Sequence, residues 1–328
     1  MDAYIPTPAL QALAVVGGLY LSAQVFNFLR VVLDLFVIPG TSLTKFGKKG
    51  SWAVITGASD GIGKEFATQL AAKGFNVVLI SRTQSKLDAL ARDLETKYSS
   101  IRTKSLAIDF AHASESDYQR IASLTASLPL SILINNVGLS HSIPVPFLQT
   151  PLPELTDIIT INCLATLRIT HLLAPRLASQ RHGLVLTMAS FGGLLPTPLL
   201  ATYSGSKAFL QQWSTALASE LAPQGVTVQL VHSYLVVSAM SKIRRASALI
   251  PTPRAFVKAV LAKVGRRGGA SGLAYTSTPY WSHGLMHWGI STFLGTMNQG
   301  LVWWNRRMHE GIRRRALRKA EREGRKVE

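Results

Sequence analysis

Short apolar runs alternate with amphipathic stretches through the central part of the chain. The apolar runs are bounded by Gly, Asn or Ser and have the lengths of buried strands; they cover residues 52–55, 76–80, 104–108, 131–134, 183–188 and 226–231. Between them, apolar residues recur at helical spacing, as in 63–73 and 86–98. This β-α-β succession predicts an α/β fold with a doubly wound parallel sheet. Ligands of such sheets bind beyond the carboxyl ends of the strands, so candidate chemistry is expected there.

The N-terminal part has a different pattern. Residues 9–29 carry no charge and are rich in Leu, Val, Ala, Tyr and Phe. The stretch is long enough to cross the roughly 30 Å of hydrocarbon in a bilayer. A cleaved secretory signal begins with basic residues, whereas residues 1–8 contain Asp2 and neither Lys nor Arg. We therefore predict a retained transmembrane helix; the alternative is a buried apolar helix of a soluble protein.

Positive charge follows the apolar stretch, at Arg30, Lys45, Lys48 and Lys49. Lys and Arg are concentrated on the cytoplasmic side of membrane helices. The distribution therefore predicts that everything after the anchor faces the cytosol.

The C-terminal part combines an uncharged aromatic segment with a basic tail. Residues 280–304 contain no Asp, Glu, Lys or Arg, and a basic stretch runs from Arg306 to Lys319. Such an order is typical of a membrane interface. Several glycines and polar residues argue against a complete span, so we predict an interfacial or re-entrant segment. Lys326, two residues before the end, resembles a dilysine-type signal for retrieval to the endoplasmic reticulum, which acts in the cytosol.

Overall composition narrows the classes of partner. The chain of 328 residues has a formal net charge of +18, which suits nucleic acid, an anionic membrane or a phosphorylated small molecule. No nucleic-acid-reading motif accompanies the charge, so we predict no nucleic-acid partner. The single cysteine, Cys163, excludes an internal disulfide, and the eight histidines lack metal-ligand spacing. We therefore predict no metal site.

A glycine-rich turn, TGASDGIG at residues 56–63, separates the first predicted strand from a helix. Glycines allow the tight turn and let the backbone approach a pyrophosphate at the positive end of the helix. The spacing differs from the G-x-G-x-x-G of two-domain dehydrogenases. The turn therefore predicts a dinucleotide site, with candidate contacts at Gly57, Ser59, Gly61, Ile62 and Gly63.

The residues at the ends of the next strands indicate which dinucleotide binds. An NAD site carries an acidic residue after the second strand, whereas this chain has Arg82, with Lys86 one turn further on. Arginine pairs with a 2′-phosphate through its planar fork, so we predict NADPH. Asp109, after the third strand, can accept a hydrogen bond from the adenine amino group. The turn after the fourth strand, with Asn136 and Gly138, is predicted to lie beside the adenine ribose.

The pair Tyr203 and Lys207 is the strongest chemical signal. Residues at i and i+4 share one face of a helix. A neighbouring ammonium favours the phenolate and is expected to lower the pKa of the Tyr203 hydroxyl toward the working range, so we predict Tyr203 as proton donor. Ser190, at the end of the fifth strand, can hydrogen-bond a carbonyl oxygen as charge develops on it. Asn162, in the preceding helix, is expected to hold a water that relays protons to Lys207.

These motifs together resemble the short-chain dehydrogenase/reductase family, over roughly residues 50 to 260. The resemblance implies a Rossmann-type sheet, hydride transfer to a carbonyl carbon, and a tetrad of Asn162, Ser190, Tyr203 and Lys207. One departure is clear: most members have Pro-Gly after the sixth strand, whereas this chain has HSYLVVSAM at 232–240. We expect the backbone of Val236 and the hydroxyl of Ser238 to contact the cofactor there. The predicted contacts of NADPH/NADP+ therefore lie at the carboxyl ends of the predicted strands.

The departure, the anchor and the run SKIRR at 241–245 resemble the fungal microsomal branch that reduces very-long-chain 3-oxoacyl-CoA in fatty-acid elongation. This implies an acyl-CoA substrate, an endoplasmic-reticulum membrane location with a cytosolic catalytic domain, and elongase, 3-hydroxyacyl-CoA dehydratase and enoyl reductase as partners. Lys242, Arg244 and Arg245 are candidates to pair with coenzyme A phosphates, or they face lipid headgroups.

Three parts are expected: a membrane anchor and linker (1–45), an NADP-binding Rossmann catalytic domain (46–275), and a membrane-interfacial segment with a basic cytosolic tail (276–328). Two other functions remain open. A membrane-bound hydroxysteroid or retinol dehydrogenase would share every tetrad residue. A non-catalytic membrane scaffold would be expected to have lost part of the tetrad or the glycine-rich turn, and both are present.

Overall fold

A computed structural model describes residues 7–324. Its sheet has seven parallel strands in the order β3-β2-β1-β4-β5-β6-β7. The strands are β1 (Trp52–Thr56), β2 (Asn76–Ser81), β3 (Thr103–Ala107), β4 (Leu130–Asn135), β5 (Gly183–Met188), β6 (Val226–Val231) and β7 (Thr276–Ser277). The six predicted strands and the parallel sheet are confirmed. The seventh strand was missed because two residues are too short to show a periodic pattern.

Eleven α-helices lie in the described residues. They are α1 (Thr7–Val32), α2 (Gly61–Ala72), α3 (Gln84–Lys97), α4 (Glu115–Thr125), α5 (Leu152–Ile159), α6 (Ala165–Ser179), α7 (Phe191–Leu194), α8 (Ala201–Leu221), α9 (Pro253–Ala262), α10 (Trp281–Gly289) and α11 (Gln299–Arg322). A π-helical turn, Thr160–Leu164, joins α5 to α6, and two others follow α1 and α10 at Leu33–Val37 and Ile290–Leu294.

Both faces of the sheet are buried, which explains the continuous apolar runs. Side chains alternate along a strand, so Val77 and Leu79 of β2 join the core beneath α2, α3 and α9, whereas Val78 and Ile80 join the core on the opposite face. The second core is covered by α4, α6 and α8. Strand order reverses between β1 and β4, and this switch point is where α/β folds open a ligand crevice.

Helix α1 projects from the domain with its apolar side chains exposed. Leu19 and Phe26 are each 67% exposed, and the first buried residue is Val31, near the end of the helix. Residues Thr7–Val37 form one of two helices in the described chain that are long and apolar enough to cross a membrane. The other, Leu152–Ser179, is half buried in the core. The exposed surface of α1 disagrees with a core helix of a soluble protein, because the rest of the described chain covers only its C-terminal end.

The C-terminal part is more closely integrated with the domain than its composition suggested. Strand β7 hydrogen-bonds to β6, so the sheet extends past the predicted boundary at residue 275. His283 and His287 of α10 are fully buried, which corrects the prediction that all of 280–304 lies at a membrane interface. Trp281 is exposed at the start of α10, and the other exposed apolar side chains of this segment follow α10 at Phe293, Leu294, Met297, Trp303 and Trp304. The predicted retrieval signal at 325–328 lies outside the described residues.

Candidate active site

The glycine-rich turn joins β1 to α2 at the switch point. Gly57 and Gly61 have positive φ angles of 64° and 55°, which favour glycine. A Cβ on Gly63 would lie 2.1 Å from the carbonyl oxygen of Gly57, so the turn and the helix could not pack as they do. Asp60 begins α2 by accepting a hydrogen bond from Gly61 N at 2.7 Å.

Contacts around the turn hold it against neighbouring strands. Asn136 donates from Nδ2 to the Thr56 carbonyl at 3.0 Å, and the Ser59 and Ser81 hydroxyls are 2.7 Å apart. Ile62 packs against the core. The side-chain amide of Asn136 therefore supports the turn from β4, a role that the sequence did not predict.

Two cations lie at the carboxyl end of β2. Arg82 and Lys86 are exposed, and neither belongs to an ion pair within residues 7–324. Asp109 is also exposed, and its carboxylate accepts a hydrogen bond from Ala111 N at 3.2 Å. A glycine turn at a helix amino end, with two unpaired cations after the next strand, fits a dinucleotide that carries a 2′-phosphate.

Helix α8 presents Tyr203 and Lys207 on one face, as predicted. Lys207 is buried and donates from Nζ to the carbonyl oxygen of Met188, at the end of β5, at 3.0 Å. Gly138 lies beside it, since a Cβ there would be 3.4 Å from both Lys207 Nζ and Asn162 Oδ1. The turn after β4, the helix α8 and Asn162 are thus brought together.

Ser190 reaches the same place from the end of β5. It begins the one-turn helix α7, where its Oγ accepts a hydrogen bond from Gly192 N at 3.1 Å. Helix α7 packs closely on α8 because Gly192 and Gly193 have no side chains: a Cβ at Gly192 would lie 3.0 Å from the Tyr203 ring. Asn162, Ser190, Tyr203 and Lys207 therefore lie close together, and the region that they border is called the cleft below.

The pKa of Tyr203 differs from the expectation. Burial raises the pKa of its hydroxyl, and a hydrogen bond with Ser190 opposes that rise in part. Burial also lowers the pKa of Lys207, to about 8. The prediction that Lys207 lowers the Tyr203 pKa is therefore wrong for the protein alone, because the ammonium is directed to the Met188 carbonyl and both groups are desolvated.

Asn162 is fully buried in the π-helical turn between α5 and α6. Its Oδ1 accepts from Leu139 N at 2.7 Å, while its Nδ2 donates to Leu139 O and to Ser206 Oγ, both at 2.9 Å. Both ends of the amide thus have protein partners, so the side chain fixes the loop after β4 to α8. The water relay through Asn162 stays a prediction.

The loop after β6 closes one side of the cleft. Val236 is buried, and a Cβ on Gly61 would lie 3.6 Å from Ser238 Cβ, so this loop lies beside the glycine-rich turn. Lys242, with a φ of 56°, donates from Nζ to the Ser142 carbonyl at 2.6 Å. This contact joins the loop after β6 to the loop after β4. The sequence predicted neither this contact nor the one between Asn162 and Ser206, because no motif marks Ser142 or Ser206.

Comparison with known families agrees with this geometry. A family model described as short chain dehydrogenase matches residues 51–248. The chain belongs to the short-chain dehydrogenase/reductase family.

More specific relatives match almost the whole chain. Proteins named very-long-chain 3-oxoacyl-CoA reductase are 62% identical in Aspergillus terreus, over 96% of this chain and 89% of the relative, and 63% identical in Pyrenophora tritici-repentis, over 97% and 94%. A relative of the same name in Aspergillus niger is 61% identical over 97% and 92%.

Solved structures share the fold at lower identity. A short-chain dehydrogenase from Sphingobium yanoikuyae in complex with NADPH is 26% identical, with a TM-score of 0.60, and covers 70% of this chain and 87% of its own. A 7β-hydroxysteroid dehydrogenase structure has a TM-score of 0.70 over 81% and 99%, but at 22% identity it supports the fold alone.

Proposed function

We propose that this protein reduces very-long-chain 3-oxoacyl-CoA to the 3-hydroxyacyl-CoA with NADPH, in fatty-acid elongation that supplies sphingolipid precursors. The observation that carries the proposal is identity near 60% to reductases of that name over nearly the full chain, including α1 and α11, which lie outside the matched family model. Identity confined to the nucleotide-binding core would support only a dehydrogenase of unspecified substrate. The complete tetrad and turn argue against a non-catalytic scaffold.

The residues around the turn hold NADPH, whose nicotinamide supplies the hydride that reduces the carbonyl carbon. The amino end of α2, with Gly57 and Gly61, would hold the pyrophosphate, and Arg82 and Lys86 would pair with the 2′-phosphate. Candidate contacts nearer the adenine, its ribose and the nicotinamide are Ser59, Ile62, Gly63, Asp109, Asn136, Gly138, Val236 and Ser238, together with Tyr203 and Lys207.

Tyr203 donates the proton that the carbonyl oxygen gains. Its raised pKa keeps the hydroxyl protonated before reaction, as a donor requires. Ser190 hydrogen-bonds the same oxygen, so negative charge that develops there is stabilised. Lys207 lies one helical turn from Tyr203 and places a positive charge behind the phenol as it loses its proton. Asn162 keeps the loop after β4 in place against α8.

A cofactor test follows from the two unpaired cations. An Arg82→Ser/Lys86→Ser variant is expected to lose about 10–100-fold in kcat/KM for NADPH and little for NADH, because charge-assisted phosphate contacts contribute about 1.5–3 kcal/mol. Arg92→Ser, an exposed cation further along α3, is the matched control. An equal loss with both cofactors would contradict the assignment.

Membrane attachment fits the substrate. We propose that α1 spans the endoplasmic-reticulum membrane and that the exposed aromatic residues after α10 lie at its surface, so the cytosolic domain meets a thioester whose acyl chain stays in the bilayer. The elongase, the 3-hydroxyacyl-CoA dehydratase and the enoyl reductase are the partners that this reaction sequence implies.

Exposed cations near the cleft suit the phosphates of coenzyme A. Arg244 and Arg245 are exposed on the loop that Lys242 ties to Ser142. An Arg244→Ala/Arg245→Ala variant is expected to raise KM for the acyl-CoA about tenfold. The N-acetylcysteamine thioester of the same acyl chain lacks these phosphates and should show unchanged KM. An unchanged KM for the acyl-CoA in this variant would show that the two arginines do not bind coenzyme A. They would then face another partner, such as lipid headgroups.

The activity itself is tested with detergent-solubilised protein. NADPH oxidation is measured with a long-chain 3-oxoacyl-CoA, with a 3-keto or 17-keto steroid, with retinal, and with the Tyr203→Phe variant. We expect turnover of the acyl-CoA and a loss of about 10²–10⁴-fold in Tyr203→Phe, the usual contribution of a proton donor. Turnover of the steroid or of retinal without the acyl-CoA would move the substrate to that class. Absence of any turnover would favour the scaffold.

A further inference from the structure

Helix α7, which carries Ser190 into the cleft, has little stability of its own. It has a single turn, and two of its four residues are Gly192 and Gly193. A Cβ on Gly193 would collide with the Lys207 backbone at 2.5 Å, and one on Gly192 would make a tight contact of 3.0 Å with the Tyr203 ring. One-turn helices are marginal and glycine increases backbone freedom. The hydrogen bond from Gly192 N to the Ser190 hydroxyl is therefore held in place by contacts of the Ser190 backbone outside α7.

Those contacts come from the residues just after β6. Ala189 N donates to Val231 O at 2.8 Å and Phe191 N donates to Ser233 O at 2.9 Å, which continues the strand pairing past the end of the sheet. Between them, Nδ1 of His232 lies 3.0 Å from the carbonyl oxygen of Ser190. The segment in which the family usually has Pro-Gly thus begins with a side chain that holds the Ser190 peptide.

His232 is itself held on every side. It is fully buried, and its Nε2 lies 2.8 Å from the side-chain amide oxygen of Gln211 on α8. The His287 ring of α10 packs edge-on against it with centroids 5.7 Å apart, and the ring of Phe191 lies 6.5 Å away. Burial lowers the pKa of His232 to about 4. The ring is therefore neutral at neutral pH. A neutral ring has one N–H, so when Nδ1 donates to the Ser190 carbonyl, Nε2 is an acceptor and the Gln211 amide must turn its nitrogen toward it.

We infer that His232 is a positioning residue for the reaction: its ring fixes the Ser190 peptide, and thereby directs the Ser190 hydroxyl toward the substrate carbonyl. Helix α10 supports the ring from behind through His287. The inference rests on the proposed reductase function for its kinetic consequence, but the geometry it concerns can be measured without substrate.

The test compares His232→Phe with His232→Asn. Phenylalanine keeps the ring but cannot donate, whereas the Asn amide nitrogen can occupy the place of Nδ1. We expect His232→Phe to lower kcat about 10–100-fold, because small misplacement of a catalytic group has effects of that size. The Kd for NADPH should stay within about twofold, and His232→Asn should recover kcat to within about threefold of wild type, since its single hydrogen bond is restored. His309→Phe, at a buried histidine of α11 that bonds to Asn305 O, is the control for a purely structural loss.

Hydrogen exchange gives a readout that needs no acyl-CoA. With NADPH present, the amides of residues 191–193 should exchange faster in His232→Phe than in wild type or His232→Asn, while α2 and α3 stay unchanged. Unaltered exchange at 191–193, or a His232→Asn variant as impaired as His232→Phe, overturns the inference. If the wild-type protein reduces no acyl-CoA, the proposed function is rejected. The hydrogen-exchange result then still tests whether His232 holds residues 191–193. If His232→Phe does not fold, Gln211→Met should show the same local increase, and its absence there also overturns the inference.

Discussion

Lys207 is a buried ammonium at the centre of the cleft. Its Nζ donates to a backbone carbonyl, and none of the ion pairs within residues 7–324 includes it. Its pKa is lowered from 10.5 to about 8 by burial. A charged group without a counter-ion costs folding free energy, on the order of 3 kcal/mol for a shift of this size.

A Lys207→Met variant should therefore be inactive but more stable than wild type at pH 7 without NADPH. Below pH 8 the lysine is protonated in both states, and the burial cost is present in full. Between pH 8 and 10.5 the unfolded chain holds more protons than the folded chain, so wild-type stability rises and the difference narrows. Melting temperatures in detergent from pH 7 to 10 measure this, with the exposed Lys258→Met as control. A difference that does not change with pH would contradict it.

Two glycines near the cleft should respond oppositely to alanine. Gly63→Ala places a Cβ against the backbone of Gly57 at 2.1 Å, so we expect a loss of about 1–3 kcal/mol and NADPH affinity at least tenfold weaker. Gly205 lies within α8 with nothing within 4 Å of a Cβ position. Gly205→Ala should gain about 0.5–1 kcal/mol from helix propensity. Thermal melting and NADPH fluorescence titration separate the two, and equal effects would show that the turn has room to adjust.

At the scale of elements, α11 joins two loops that border the cleft. Asn305 donates to the Pro196 carbonyl at 2.9 Å, and Arg313 donates to the Pro144 carbonyl at 2.8 Å. The loops also meet each other, since Val145 N donates to Leu199 O. The helix therefore holds together the loops after β4 and β5, which we propose to border the substrate.

Asn305→Leu and Arg313→Met should each loosen these loops. We expect melting temperature to fall by about 2–6 °C, as removal of one such hydrogen bond costs about 1–2 kcal/mol. KM for a long-chain 3-oxoacyl-CoA should rise severalfold, while KM for NADPH should change little because Asn305 and Arg313 hydrogen-bond to Pro196 and Pro144 and not to the glycine-rich turn. The exposed neighbour Arg314→Met is the control. A rise in KM for NADPH instead would place α11 at the cofactor.

At the scale of the whole molecule, charge and the exposed α1 predict one orientation. In sealed microsomes, added protease should remove a tag placed after Glu328 and leave intact a tag placed before Met1, because cations follow the apolar helix. Cleavage of both tags would show that α1 does not cross the membrane. Protection of the C-terminal tag would show that the C-terminus lies in the lumen. The predicted retrieval signal, which acts in the cytosol, would then be excluded.

The apolar helix and the C-terminal part also contact each other. The Phe28 ring of α1 packs at a tilt against the Trp288 ring of α10 with centroids 4.8 Å apart, and Trp288 contacts Phe293 in turn. The exposed apolar residues after α10 therefore begin beside the anchor. This contact supports one membrane-facing surface formed by α1 and the residues after α10. Composition indicated two separate apolar segments but not that they lie side by side.

The sequence by itself determined the features that depend on neighbours along the chain. Strand runs, the left-handed glycines of the turn, and the shared helical face of Tyr203 and Lys207 follow from short-range periodicity and backbone preference. Because parallel strands align their carboxyl ends, those local signals also predicted that the tetrad and the cofactor contacts would gather at one edge.

Tertiary structure decided what depends on pairs far apart in sequence. The bond between His232 and the Ser190 carbonyl joins residues 42 positions apart, and that between Lys242 and Ser142 joins residues 100 apart. Strand β7 is too short to form except against β6, and the ionisation of Tyr203 and Lys207 depends on how deeply the assembled cleft buries them. Which distant residues pair, and how far a side chain is removed from water, depend on the packed chain. Local patterns along the sequence therefore do not predict them.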